Sequence, residues 1–198
     1  MPVGYWCPVL HAHLPYVRHP EYPEFLEEDW FFEALNETYI PLVDVLDGLL
    51  ADGVDYRLTM TLSPPLVSMM TDELLIERYH RYLDRLIALA EKEIDRTARE
   101  DHRFLDLSRF YLHEFSRIRD VFRGRYSSNL LRGFRKHRDA GKLEIITCGA
   151  THGFFPLMDT VPQAVRAQVQ VAVEHYKKHF DRPPQGMWLP ECGYMPGQ

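Results

Sequence analysis

Two histidines near the amino terminus, His11 and His13, are spaced so that they could act together. Residues two apart on a β-strand project from the same face, so both imidazoles would point in one direction. Imidazole nitrogens donate or accept hydrogen bonds and also bind metal ions. Three interpretations are open on this pattern: a hydrogen-bonded structural pair, a metal pair completed by His152 or a carboxylate, or contacts to sugar hydroxyl groups.

One carboxylate, Glu191, stands in a context that could fix its position. It follows the apolar segment 186–190, whose last residue, Pro190, restricts the backbone, while Gly193 tolerates unusual backbone angles. A carboxylate held at the end of a strand can act as a nucleophile or as a general acid or base. The same context also fits a solvated glutamate on the protein surface.

The elements that must position these side chains are predicted from the apolar pattern. Four segments have the pattern of β-strands: residues 3–13, 56–62, 143–147 and 186–190. Three stretches between them have apolar residues at helical spacing: residues 33–50, about 66–140 and 165–180. Strands that alternate with helices predict parallel βαβ units, and the long second stretch predicts an extra helical insertion.

The candidate residues all follow the carboxyl end of a predicted strand. His11 and His13 end the first strand, residues 63–65 end the second, His152 follows the third and Glu191 follows the fourth. Ligands of parallel α/β folds bind at this edge of the sheet. The sequence therefore predicts one site built from several distant segments.

Bulk composition narrows the class of protein. The 198 residues are 45% hydrophobic, enough for one globular core, and the net charge of −6 disfavours nucleic acid or an acidic membrane as partner. No apolar run approaches the roughly 20 residues of a membrane helix, and the start has no signal-peptide pattern, so we expect a cytoplasmic protein. The three cysteines lack the spacing of a zinc ribbon or disulfide framework, and we expect free thiols.

Several segments resemble the ordered motifs of glycoside hydrolase family 57. Residues 11–17 (His-Ala-His-Leu-Pro-Tyr-Val), 141–146 (Gly-Lys-Leu-Glu-Ile-Ile) and 188–194 (Trp-Leu-Pro-Glu-Cys-Gly-Tyr) resemble its first three motifs, in the same order. Residues 30–42 and 150–157 resemble the 1,4-α-glucan branching-enzyme subgroup. The similarity covers nearly the whole chain.

The resemblance implies an α/β fold, a partial (β/α)7 barrel truncated before closure, with residues 1–198 forming the amino-terminal part of the catalytic domain. It implies an α-glucan substrate, a covalent glycosyl-enzyme mechanism and no metal or other cofactor. Glu191 matches the family nucleophile. The residues that match the adjacent sugar subsite or lie in neighbouring motifs would bind substrate: His11, His13, Trp30, His152 and Cys192.

The activity implied by the subgroup is 1,4-α-glucan branching in glycogen biosynthesis, with 4-α-glucanotransferase and α-amylase as alternatives within the family. Retaining glycosyl transfer needs a second carboxyl about 5–5.5 Å from the nucleophile. The resemblance places that aspartate beyond Glu191, where only residues 192–198 remain, so we expect the chain alone to be inactive and to need the rest of the barrel. The loop acid Asp159 fits a solvated residue better than a catalytic one.

Two other classes of function compete with this hypothesis. A metal-dependent hydrolase of the amidohydrolase or deacetylase kind would use His11 and His13 as ligands of a divalent cation. A non-catalytic glucan-binding fragment would bind the polymer without changing its bonds.

Overall fold

The computed structural model describes residues 3–195 and has an α/β architecture. A parallel sheet has the order β1-β2-β3 and consists of β1 (Val9–Ala12), β2 (Leu58–Leu62) and β3 (Leu143–Ile146). The helices are α1 (Glu28–Ala34), α2 (Ile40–Ala51), α3 (Pro64–Met70), α4 (Glu73–Glu100), α5 (Leu105–Arg119), α6 (Leu131–Asp139) and α7 (Pro162–Phe180). The sequence prediction of the α/β class with parallel pairing is confirmed.

The predicted fourth strand, residues 186–190, is not a strand in this structure. A single parallel bridge joins Thr147 to Met187, supported by the Trp188 amide, which donates to the Thr147 carbonyl at 2.8 Å. Pro190 has no amide hydrogen to extend the pairing, and the chain turns there into the short 3-10 helix Pro190–Cys192. The number of strands in the barrel stays a prediction.

The first strand is also shorter than predicted, since pairing begins at Val9 instead of residue 3. Pro8 lacks an amide hydrogen, and Gly4 has no side chain to pack, so the preceding residues remain outside the sheet. Within the sheet, His11 lies opposite Thr61, and Thr61 lies opposite Ile146. The register brings the carboxyl ends of the three strands to one edge.

The chain divides into two compact units. The sheet unit comprises residues 3–16, 52–69 and 134–195, and the helical unit comprises residues 17–51 and 70–133. In the sheet unit, α7 covers β3 with Ala172, Tyr176 and Phe180 buried. The Tyr176 hydroxyl donates to the Ile145 carbonyl at 2.8 Å, which anchors α7 to the strand that precedes the site.

The helical unit is organised around the 28-residue helix α4, whose first residue follows the capping side chain of Asp72. Leu75, Tyr79 and Leu83 are buried, as their helical spacing predicted. The apolar residues 107, 111, 115, 118 and 122 also have helical spacing, which predicts a second buried stripe on α5 and the turn after it. This prediction is only half correct, because Leu107 is 48% exposed whereas Ile118 is buried. The exposed end of this stripe lines an apolar groove of about 510 Å³ between α4 and α5.

Two further expectations concern chemistry and membranes. The three cysteines are free thiols, as expected from their spacing. Among the residues that the structure describes, no helix combines the length and the apolar character needed to cross a bilayer.

Candidate functional site

Three histidines from two loops and a strand form a cluster at the carboxyl edge of the sheet. His11 lies on β1, His13 follows directly after it, and His152 lies in the loop after β3. The His13 and His152 rings stack with centroids 3.6 Å apart and planes 7° apart. The Nε2 atoms of His11 and His152 are 3.0 Å apart, within hydrogen-bond distance. The sequence prediction that these residues meet is confirmed.

A hydrogen bond to Ser63 fixes the ring of His13. The Ser63 hydroxyl is 2.9 Å from His13 Nδ1, and Ser63 is fully buried. The Ser63 amide donates to the Ala12 carbonyl at 3.1 Å, and its carbonyl accepts from the Val67 amide at 3.0 Å at the start of α3. Because the end of β2 and the beginning of α3 both fix Ser63, the orientation of His13 is set by the fold.

Trp188 is a second neighbour whose role at the site the sequence did not predict. Its ring stacks on His11 with centroids 5.4 Å apart and planes 21° apart. Trp188 stands three residues before Glu191, so the motif around Glu191 already contained this aromatic side chain. The sequence alone did not show that the Trp188 ring would stack on His11.

Glu191 lies beside the cluster, with its Oε1 atom 3.6 Å from His152 Nδ1 and its side chain 71% exposed. Glu191 and Cys192 both have left-handed backbone angles, with φ of 53° and 54°. Such angles cost about 1–3 kcal/mol for residues other than glycine and are frequent at functional sites. Two turn hydrogen bonds hold them, from the Cys192 amide to Leu189 and from the Gly193 amide to Pro190.

The residue after these two must be glycine for steric reasons. A Cβ atom on Gly193 would lie 2.6 Å from the Phe154 ring and 3.0 Å from Pro156. The loop that bears Glu191 therefore packs directly on the loop that follows His152.

The histidines are neutral at pH 7. Burial, together with the neighbouring His152 and His11, lowers the pKa of His13 to about 4. Burial is also the main cause that lowers the pKa of His11 and His152, and the nearby Glu191 carboxylate opposes it in both. A neutral imidazole has one donor and one acceptor nitrogen, the combination that a sugar hydroxyl can satisfy.

Cys192 and Trp30 are the two other residues that the sequence predicted to bind substrate. Cys192 is exposed next to Glu191. Trp30 lies on α1 in the helical unit, where it is half-exposed. Asp159 lines a cavity of about 570 Å³ together with Leu189 and Tyr194.

The geometry also bears on the metal interpretation of the histidine pair. Within residues 3–195, no group of three or more His, Cys, Asp or Glu side chains is arranged to hold a metal ion. What the arrangement offers is an accessible carboxylate beside neutral imidazoles, which can attack an electrophilic carbon while the imidazoles bind adjacent hydroxyl groups.

Comparisons with known proteins place the chain in a family. The sequence profile of Glycosyl hydrolase family 57 matches residues 9–197. A 1,4-alpha-glucan branching enzyme of Thermococcus kodakarensis is 35% identical over 194 residues, which are 98% of this chain and 28% of the relative.

Solved structures agree with the profile. The alpha-amylase AmyC of Thermotoga maritima has a TM-score of 0.91 at 49% identity, over 96% of this chain and 36% of that one. A GH57-type branching enzyme of Pyrococcus horikoshii has a TM-score of 0.90 at 35% identity, over 98% of this chain and 36% of that one. The chain thus spans about a third of the length of these relatives. Profile, sequence and fold agree along nearly its whole length, and the chain belongs to glycosyl hydrolase family 57.

Proposed function

We propose that this chain carries the nucleophile of a retaining glycosyl transfer on α-1,4-glucans and that the nucleophile is Glu191. The observation that supports the proposal most directly is the position of the Glu191 carboxylate, 3.6 Å from His152 in the three-histidine cluster and open to a ligand. The relatives at 35% and 49% identity, named as a branching enzyme and an alpha-amylase, support an α-glucan as substrate.

In the first step, a Glu191 oxygen forms a bond to the anomeric carbon as the glycosidic C–O bond breaks. The leaving oxygen takes a proton from a second carboxyl, about 5–5.5 Å from the first in retaining enzymes. In the second step, an acceptor hydroxyl attacks the glycosyl ester, Glu191 leaves as carboxylate, and the proton of the acceptor returns to the second group.

We propose that the second carboxyl comes from polypeptide beyond this chain, as the sequence resemblance implies, so that the chain alone does not turn over. His11, His13 and His152 would bind hydroxyl groups of the sugar attached to Glu191. Their neutral state suits this role, because a charged imidazole would be a donor only.

The acceptor determines the activity, and two candidates have support. Branching, in which a glucan 6-hydroxyl is the acceptor, is supported by the branching enzymes at 35% identity. Hydrolysis, in which water is the acceptor, is supported by the alpha-amylase at 49% identity. Complementing the chain with the carboxyl-terminal two thirds of a relative would distinguish them, since branching raises the number of branch points and hydrolysis raises the number of reducing ends.

The nucleophile itself can be tested on the 198-residue chain. In α-maltotriosyl fluoride, the fluoride leaves without a proton, so the missing acid is not required. We expect intact-mass spectrometry to show a covalent maltotriosyl adduct on the wild type and none on Glu191→Gln.

Glu174→Gln is the matched control, because Glu174 is an exposed carboxylate of α7 that pairs with Lys177. It should be labelled like the wild type. Equal labelling of Glu191→Gln and the wild type would reject Glu191 as the nucleophile.

A further inference from the structure

The short loop 149–153 positions His152 at the histidine cluster. The His152 amide donates to the Gly149 carbonyl at 3.0 Å and closes a tight turn. His152 itself has a left-handed φ of 58°. Residues other than glycine rarely adopt this conformation, so contacts from outside the turn must hold it.

Those contacts come from Gln168, a residue near the start of α7. Its side-chain Oε1 accepts a hydrogen bond from the Thr151 amide at 2.9 Å, and its Nε2 donates to the Thr151 hydroxyl at 2.7 Å. The backbone carbonyl of Gln168 also accepts from the Ala150 amide at 3.1 Å. One residue thus makes three hydrogen bonds to the two residues that precede His152.

The loop also packs closely against the Gln168 side chain. A Cβ atom on Gly149 would lie 3.2 Å from the Gln168 Oε1 atom and 3.1 Å from the Phe155 ring. Helix α7 is in turn fixed to β3 by the buried hydrogen bond of Tyr176. Gln168 therefore connects the loop to a rigid element.

We propose that Gln168 is a positioning residue of the candidate site, whose side-chain amide holds the loop 149–153 so that His152 stacks on His13 beside Glu191. Any effect of Gln168 on catalysis rests on the proposed function, whereas its effect on the position of His152 does not. A glutamine suits the task since its amide offers an acceptor to the Thr151 amide and a donor to the Thr151 hydroxyl at the same time.

The test compares Gln168→Met with Gln168→Glu. Methionine has a similar length and helix propensity but no polar atoms at the loop. Glutamate keeps both contacts, because the Thr151 hydroxyl can reverse and donate to the second carboxylate oxygen. In NMR spectra of the 198-residue chain, we expect Gln168→Met to lose the ring-current shifts of the stacked His13 and His152 imidazoles. Exchange of the Thr151 amide hydrogen should accelerate about tenfold.

Gln168→Glu should retain both signatures, and so should Gln170→Met, which changes an exposed residue of the same helix. A merely structural role of Gln168 would lower stability without moving the imidazole resonances of the folded protein. Unchanged shifts and exchange in Gln168→Met would overturn the proposal.

Should Gln168→Met fail to fold, Thr151→Val removes the hydroxyl partner from the loop side. Displaced imidazole resonances in that variant support the proposal, and unchanged resonances refute it. None of these measurements requires turnover. A chain that forms no glycosyl adduct would therefore reject the proposed nucleophile while leaving the role of Gln168 to be decided by the spectra alone.

Discussion

Lowering the pH from 7 to 5 should destabilise the protein, because the unfolded chain takes up a proton at His13 whereas the folded protein keeps this imidazole mostly neutral. The pKa of this imidazole is about 4 in the folded state, compared with the ordinary value of 6.5, because burial, His152 and His11 disfavour its charged form. The unfolded chain therefore binds the proton more tightly than the folded one. Stability is complete above pH 6.5 and is lost as the pH falls towards 4.

The magnitude follows from the interval between the ordinary pKa and the working pH. Each pH unit inside the window changes the free energy of unfolding by about 1.4 kcal/mol, which gives at most about 2 kcal/mol at pH 5. The His13 ring is only half-buried, and solvent screening reduces the effect, so we expect about 1 kcal/mol. Burial, together with the neighbouring His179 and Lys178, lowers the pKa of His175 to about 4 as well. His175 should therefore make a separate contribution in the same pH window.

The assay is urea-induced unfolding at pH 7 and pH 5 for the wild type and for His13→Gln. Glutamine keeps a polar group near Ser63 but does not titrate. The loss of stability between the two pH values should be about 1 kcal/mol smaller in His13→Gln than in the wild type. Equal losses in the two proteins, or an NMR titration that places the pKa of His13 near 6.5, would refute the reasoning.

Two further predictions concern the helical unit. Arg78→Met should lower the free energy of unfolding, measured in urea, by about 3–5 kcal/mol. The Arg78 guanidinium donates to the two Glu28 carboxylate oxygens at 2.5 and 2.6 Å, and without it that carboxylate is buried and unpaired. The double variant Arg78→Met with Glu28→Leu should recover most of the lost stability. Gly133→Ala should lower the free energy of unfolding in urea by about 1–3 kcal/mol, since its Cβ would lie 2.5 Å from the Val43 Cγ1 atom. Gly124→Ala is the control, because no atom lies within 4 Å of a Cβ there, and it should cost less than half of that.

Much of the architecture was predictable from residue patterns. The second and third strands lie within one or two residues of their predicted bounds, since each apolar segment ends at a sharp change of composition. The prediction of a fourth strand at residues 186–190 was wrong. The apolar character of a segment does not show whether its backbone amides will find a neighbouring strand with which to form hydrogen bonds. The α5 stripe failed in half its length for a related reason, since helical periodicity shows which face is apolar but not what covers it.

The sequence by itself determined which chemical groups meet at the carboxyl edge of the sheet. His11 and His13 share a face because the period of a strand is two, and His152 reaches the same edge because it follows the carboxyl end of β3. Glu191 reaches this edge without a strand of its own, after the single bridge between Thr147 and Met187. Glu191 received its predicted role from a motif, which is local information.

Only the tertiary structure decided how these groups are held. His11 and His152 are 141 residues apart, His13 and Ser63 are 50 apart, and Thr151 and Gln168 are 17 apart. No local pattern encodes such contacts, because each depends on the distance and angle between two separately formed elements. The neutral state of the histidines has the same origin, since the desolvation that lowers their pKa exists only after the strands, loops and α7 have packed together.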